Sequence, residues 1–234
     1  ESKVPLISYH KHNLKSRLNQ LLEILENKKS IALISDAGLP GISDPGEDLI
    51  KASRQNNHEV ICIPGPCAAT TALTISGLPS QRFCFEGFLP KKQINRKERL
   101  NQIAKEERTT VIYESPHHLI KLLEELSILC GKDRPILIAR ELTKRYEESI
   151  GTTIEEVIGY FKNKTPKGEF TIVLGGNPKN IKENLTTESE AINKINVLIK
   201  KGYKSNDAAR KVSEETGYPR KWLYSQFHKG LDKI

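Results

Sequence analysis

Seven of the twelve residues in Ser35-Asp36-Ala37-Gly38-Leu39-Pro40-Gly41-Ile42-Ser43-Asp44-Pro45-Gly46 are glycine, proline or aspartate. The segment follows the apolar run Ser30-Ile31-Ala32-Leu33-Ile34 and leads into a helix-like stretch from Glu47. Glycine tolerates positive φ and proline fixes its neighbours, so such a loop lets backbone approach a bound molecule closely. In an open α/β sheet, ligands sit beyond the carboxyl ends of the strands, which is where this loop falls. An ordinary βα turn needs only about two such residues. The density of special residues therefore points to ligand binding.

Other segments place polar or small residues where an apolar run stops. Val60-Ile61-Cys62-Ile63 ends in Pro64-Gly65-Pro66, ahead of a small-residue helix over 68–76. Thr109–Tyr113 runs into Glu114-Ser115-Pro116, with Pro116 set to open a helix. Pro135–Ala139 runs into Arg140-Glu141-Leu142-Thr143-Lys144, and Lys167-Gly168-Glu169 precedes the apolar 170–174, closed by Gly175-Gly176.

These loops imply a scaffold of strands and helices in alternation. Val4–Tyr9 reads as a short strand, and Leu14, Leu18, Leu21, Leu22 and Leu25 share one helical face. Strands 30–35 and 60–63 follow, giving a β-α-β-α-β-α order and a mostly parallel sheet. Gly77-Leu78-Pro79-Ser80 marks a boundary, after which Phe83-Cys84-Phe85 opens a second α/β unit. There Leu119, Leu122, Leu123 and Leu126 form a buried helical face stopped by Gly131. Thr152-Thr153 can cap a helix carrying Glu155 and Glu156. Residues 177–188 read as a polar linker. Beyond it, Ile192, Ile195, Leu198 and Ile199 mark one helix, Ser205 caps a second, and Pro219 opens a third after a turn at Gly217. The expected organisation is an N-terminal α/β lobe over 1–78, a second over 79–178 and a basic helical module over 186–234.

The chain has 234 residues and a formal net charge of +8. That charge favours a polyanionic partner. It is concentrated at Lys91, Lys92, Arg96, Lys97 and Arg99, and again at Lys200, Lys201, Lys204, Arg210, Lys211, Arg220, Lys221 and Lys229. Each cluster reads either as a solvated face or as a nucleic-acid contact. The C-terminal helices fit a helix-turn-helix-like RNA contact; a packing appendage or dimerisation arm is the alternative. No run approaches a membrane span and no signal-peptide pattern is visible. The four cysteines (Cys62, Cys67, Cys84, Cys130) form no CxxC pair and read as buried free thiols in a reducing cytoplasm. His10 and His12 lie at a strand end with no third metal ligand in view, so no metal is expected.

With these motifs in order, the chain closely resembles the 16S rRNA cytidine 2′-O-methyltransferases of the tetrapyrrole methylase superfamily. The carrying segments are Ser35–Gly46, Pro64–Thr70, Gly77–Ser80, Phe83–Pro90, Tyr113–His117, Ala139–Lys144 and Lys167–Glu169, in family order. The family's opening strand, its Pro-Ile-Gly-Asn-Leu-type loop and its Ala-Glu-Asp-Thr-Arg segment have no counterpart in this sequence. An incomplete first sheet is therefore expected.

The resemblance implies a two-lobed α/β fold with parallel or mixed sheets, a small all-α C-terminal module and S-adenosylmethionine in the cleft between lobes. The chain shows no GxGxxG loop, so this is not the Rossmann arrangement. By motif position, Asp36, Ala37, Gly38, Ile42 and Ser43 would line the cofactor, and Pro64, Gly65, Cys67 and Ala68 would present a helix start. Tyr113 and Glu114 would flank the adenosine, with Arg140, Glu141, Leu142, Gly168, Glu169 and Phe170 completing that wall. Candidate bases for the ribose hydroxyl are Asp36, Asp44, Glu114 and Glu141, with Arg140 or Lys144 stabilising developing charge or holding phosphate. The resemblance further implies a homodimer acting on the small ribosomal subunit. The RNA contacts expected are Lys91, Lys92, Arg96, Arg210, Lys211, Arg220 and Lys221. A tetrapyrrole-precursor C-methyltransferase and a non-catalytic RNA-binding factor are the competing readings.

Overall fold

A computed structural model describes residues 4–178, 188–216 and 218–231. The chain divides into two compact units, residues 1–176 and 177–234. In the first, helices α1 (Leu14–Glu26), α2 (Glu47–Gln55) and α3 (Ala68–Ser76) precede a run of strands and helices. That run is β1 (Phe83–Phe88), α4 (Gln93–Lys105), β2 (Thr109–Glu114), α5 (Pro116–Cys130), β3 (Ile136–Arg140), β4 (Glu148–Ile150), α6 (Ile154–Phe161) and β5 (Phe170–Leu174).

The five strands form one mixed sheet in the order β1-β2-β5-β3-β4. Only β1 and β2 run parallel; β5 is antiparallel to both β2 and β3, and β4 is antiparallel to β3. All five residues of β5 are buried, as expected of a central strand covered on both faces. Alternation divides the sheet's side chains between its two faces. Val111, Ala139 and Val173 meet Ala69, Ala72 and Leu73 of α3. Ile112, Ile138 and Ile172 meet Leu119, Leu122, Leu123 and Leu126 of α5 on the opposite side. The small residues of α3 let its backbone lie close to the sheet, and its first turn thereby reaches the ends of β2, β3 and β5.

Local rules account for the helix ends. Pro116 occupies the first turn of α5, where a missing N–H is harmless, and Gly131 ends it at φ 87°. At α6 the Thr153 hydroxyl accepts from the Glu156 N–H at 3.3 Å. The Glu156 carboxylate in turn accepts from the backbone and hydroxyl of Thr152 at 2.9 and 2.6 Å. These contacts hold the Glu156 carboxyl below its ordinary range, the Thr152 hydroxyl contributing most.

Three expectations need correction. The apolar segments 4–9, 30–35 and 60–63 form no strand and carry no ladder among the described residues. Leu6 is 88% exposed, Ile34 77% and Ile63 76%. An apolar run supplies one side of a strand pair, and pairing also needs a neighbour about 4.8 Å away. The thiols are free, but Cys62 is exposed and Cys67, Cys84 and Cys130 are half-buried rather than buried. The 91–99 cluster is largely helix α4, and its Arg96 is only 9% exposed.

The second unit comprises α7 (Glu188–Lys200), α8 (Ser205–Thr216) and α9 (Arg220–Leu231). Ala191, Ile195, Ala208, Ala209, Val212, Leu223 and Phe227 make its core, and Tyr218 stacks on Trp222 at 5.0 Å. The predicted turn at Gly217, most of the predicted linker and the Lys229 side chain lie outside the described residues. No described helix is long and apolar enough to cross a membrane.

Candidate active site

Loops and the ends of β1, β2, β3 and β5 enclose a cleft of about 710 Å³ within the first unit. One wall is the special loop, folded tightly because the Ser35 hydroxyl donates to the carbonyls of Ala37 and Gly38 at 3.0 and 3.2 Å. Asp36, Ala37, Gly38, Ile42, Ser43 and Asp44 all face the cleft from this loop. Cys67 and Ala68 face it from the start of α3, while Pro64 and Gly65 stand off the wall, which Pro66 occupies instead.

The opposite wall is built from strand ends. Tyr113 and Glu114 finish β2, and the Tyr113 hydroxyl accepts from the Ala69 N–H at 3.0 Å, tying the sheet to α3. Burial pushes the Tyr113 hydroxyl up to about 12, with neighbouring Cys67 adding to the rise. It therefore keeps its proton at neutral pH and acts as a fixed dipole, not a base.

Glu114 lines the cleft with a buried carboxylate of which one oxygen is hydrogen-bonded and the other has no hydrogen-bond donor among the described residues. One oxygen accepts from the Ser115 N–H at 2.8 Å and the other lies 3.5 Å from Arg96. Arg96 also donates to Glu125 at 3.1 and 2.9 Å. This buried cation joins α4, β2 and α5. Its expected role as an RNA contact is corrected: the guanidinium is buried, hydrogen-bonded to Glu125 and ion-paired with Glu114.

A second ionic cluster closes the rim. The Lys144 ammonium lies 2.7 Å from Glu169 and 3.3 Å from Glu141. Glu141 also accepts from the Glu169 N–H at 2.9 Å. That backbone bond leads the forces holding the Glu141 carboxyl down, and the bond to Glu169 leads those raising Lys144. The geometry depends on Gly168 (φ 91°), where an added Cβ would fall 2.6 Å from the Glu141 side chain. Leu142, Lys144, Gly168, Glu169 and Phe170 face the cleft, whereas Arg140 and Glu141 stand just behind it. Arg140 donates to the Lys167 carbonyl at 2.7 Å and pairs with Glu148 at 3.2 Å. The Glu148 carboxyl is held down chiefly by the hydroxyl of Tyr160 and then by Arg140.

Of the four candidate bases, Glu114 and Glu141 are thus held by cations. Asp36 and Asp44 remain on the loop wall, exposed and half-buried respectively. Sequence reasoning missed Thr71, Phe88, Ser115, Thr143 and Thr171, which also line the cleft. Thr71 follows Cys67 by one helical turn, a spacing the motif boundaries hid. Phe88 was obscured by a break in the alternation of β1. Lys91 and Lys92 of the first unit, and Arg210, Lys211, Arg220 and Lys221 of the second, are exposed. Arg220 donates to Asn206 at 2.7 Å, and the Lys211 ammonium lies 4.8 Å over the Tyr203 ring.

Solved structures share the fold: the methyltransferase CobJ superposes with a TM-score of 0.55 at 21% identity, covering 74% of each chain. Uroporphyrin-III-C-methyltransferase from Thermus thermophilus gives 0.51 at 18% identity, again over 74% of each. Residues 8–158 match the Tetrapyrrole (Corrin/Porphyrin) Methylases, and the chain belongs to that family. Its sequence relatives are narrower. It is 44% identical to the ribosomal RNA small subunit methyltransferase I of Synechocystis sp. over 94% of this chain and 78% of that protein. The Bacillus subtilis protein of the same name is 39% identical over 97% and 79%.

Proposed function

We propose that this chain methylates the ribose 2′-hydroxyl of a cytidine in small-subunit (16S) rRNA, using S-adenosylmethionine. The observation that carries the reading is the convergence of six of the seven motif segments on one cleft, in a chain so similar to rRNA methyltransferases. The cleft is of the size that encloses a nucleoside-bearing ligand. Ala37, Ile42, Leu142 and Tyr113 offer apolar surface for an adenosine, and Asp36 and Asp44 offer negative charge to a sulfonium. S-adenosylmethionine, when bound, supplies a methyl group on a positively charged sulfur and leaves as S-adenosylhomocysteine.

The protein's own task is then to align the hydroxyl and remove its proton. The tethered strand ends fix the cleft's geometry, which is where most acceleration arises for an already activated donor. Asp36 or Asp44 is placed to take the hydroxyl proton as the oxygen–carbon bond forms. Lys144 supplies positive charge at the rim for the oxyanion or a flanking phosphate. Arg210, Lys211, Arg220 and Lys221 hold RNA phosphates from the second unit, and the active species is a cytoplasmic homodimer.

The test offers the full-length gene product labelled cofactor and small subunits lacking the modification, then maps the methylated ribose. Label on a cytidine 2′-oxygen is expected. No transfer sinks the proposal, and equal labelling of a porphyrinoid favours a tetrapyrrole substrate instead. Alanine at Arg210, Lys211, Arg220 and Lys221 together should weaken RNA binding and flatten its salt dependence, the log–log slope falling by about 0.7 for each phosphate released.

A further inference from the structure

Strand β1 carries three aromatic residues, Phe83, Phe85 and Phe88. In an unbroken strand Phe83 and Phe85 would share one face and Phe88 would point to the other. The pairing with β2 breaks that rule. Phe85 lies opposite Val111, then Gly87 opposite Ile112 and Phe88 opposite Tyr113, with Glu86 passed over. A bulge of this kind re-aims a side chain. Gly87 makes it sterically possible at φ 59°, and an added Cβ there would sit 3.1 Å from the Ser43 hydroxyl of the opposite wall.

The bulge brings Phe88 to the same face as Phe85, beside Tyr113. The ring centroids of Phe85 and Phe88 lie 5.1 and 5.7 Å from that of Tyr113, both edge-to-face. Phe88 lines the cleft and is 60% exposed, while the next residue, Leu89, enters the core. Packing therefore does not explain the re-aimed ring. Two and three residues beyond Leu89, Lys91 and Lys92 stand exposed just before α4.

A flat aromatic face open at a cleft mouth, with cations a few residues along the same chain, matches the chemistry of an unpaired nucleobase and its phosphates. Bases splayed out of RNA stack on aromatic side chains, and lysines hold the backbone that follows them. We infer that Phe88 is the stacking platform for an unpaired pyrimidine of the RNA substrate, with Lys91 and Lys92 holding the adjoining phosphates. This rests on the rRNA reading above and adds to it a specific recognition site. Phe85 and Tyr113 brace the platform edge-on, so the ring is set before RNA arrives.

The test compares Phe88→Ala, Phe88→Leu and Phe88→Trp in the full-length gene product. Binding of a short single-stranded RNA with unpaired cytidines, binding of S-adenosylmethionine and methyl transfer to small subunits are each measured. Phe88→Ala should lower RNA affinity and kcat/KM for rRNA by about tenfold to a hundredfold, the range of one base–aromatic stack. S-adenosylmethionine affinity should not change. Phe88→Leu, apolar but without a π-face, should recover little. Phe88→Trp should retain binding and add to the emission of Trp222 a second fluorescence component that the oligonucleotide quenches.

Unchanged RNA affinity in Phe88→Ala overturns the inference. Loss of cofactor affinity in its place would make Phe88 part of the cofactor wall, and a change confined to oligomeric state would make it a protein interface; either also overturns it. A wild type that transfers no methyl defeats the parent proposal, whereas an active enzyme indifferent to Phe88→Ala defeats the platform alone.

Discussion

The two walls of the cleft are built on different principles. The sheet wall hangs from β2, β3 and β5, whose residues are paired on both sides and packed under α3 and α5. The loop wall grows from segments that carry no ladder among the described residues, and its order comes from short-range contacts such as Ser35 with Ala37 and Gly38. Stability in a protein is local, and groups with few buried neighbours open most easily. On that ground the sheet wall should be the more rigid of the two and the loop wall the more readily opened.

The sharpest test of that contrast lies under the sheet wall, at Arg96. Removing it leaves the buried Glu114 carboxylate without its cation. Breaking such a pair destabilises by about 3–5 kcal/mol. Arg96→Ala should therefore lower the unfolding free energy by about 3–5 kcal/mol in chemical denaturation, whereas Lys91→Ala on the exposed turn should change it by less than about 0.5 kcal/mol. Arg96→Ala with Glu114→Gln should recover part of the loss, and additive effects would show the pair is not coupled.

A smaller effect separates the walls by packing. Leu122 is fully buried against the sheet, and Leu122→Ala should destabilise by about 2–5 kcal/mol through lost burial and a cavity. Ile34→Ala, at the foot of the loop wall, should change stability by about 0.5 kcal/mol or less because Ile34 is 77% exposed. Equal losses in urea titrations would mean that residues 30–35 are covered in solution and that the walls are alike.

The same contrast governs what the sequence revealed. Ala68–Ser76 and the start of α5 at Pro116 were legible residue for residue, because caps, small residues and proline act locally. The leucines of α5 were legible from their helical spacing. Segments 4–9, 30–35 and 60–63 carry no ladder despite their strand-like composition, because an apolar run does not encode its partner. Helix α4 was hidden because its buried face uses Arg96 beside Leu100 and Ile103, so its pattern looked like a charged surface. In the cleft, the loop and strand-end residues could be found from motif position. Phe88 could not, since a bulge at Glu86 reverses the alternation that assigns faces.

Gly168 links the two kinds of order at the rim. Its φ of 91° and the 2.6 Å separation that an added Cβ would have from Glu141 mean alanine must strain the backbone and displace that carboxylate. Gly168→Ala should destabilise by about 1–3 kcal/mol. Amide exchange should also quicken at Glu169, whose N–H donates to Glu141. Unchanged exchange there would show that the rim does not depend on this bond.

The mildest perturbation is acid. The Glu141 carboxyl is held below its ordinary range, first by the Glu169 N–H and then by Lys144. A lowered folded pKa means its contribution is present above the unfolded carboxylate pKa and fades as pH falls through the lowered folded value. Lys144 is raised, first by the Glu169 carboxylate and then by Glu141, so it stays charged throughout this window. Amide exchange at Lys144 and Glu169, corrected for the intrinsic rate, should therefore accelerate below about pH 4 while that of buried β5 does not. Glu141→Gln, which keeps an acceptor for the Glu169 N–H but abolishes the charge, should remove most of the pH dependence at the rim. If exchange in β5 rose in step with the rim, acid would be loosening the whole sheet, and the rim would have no separate ionic lock.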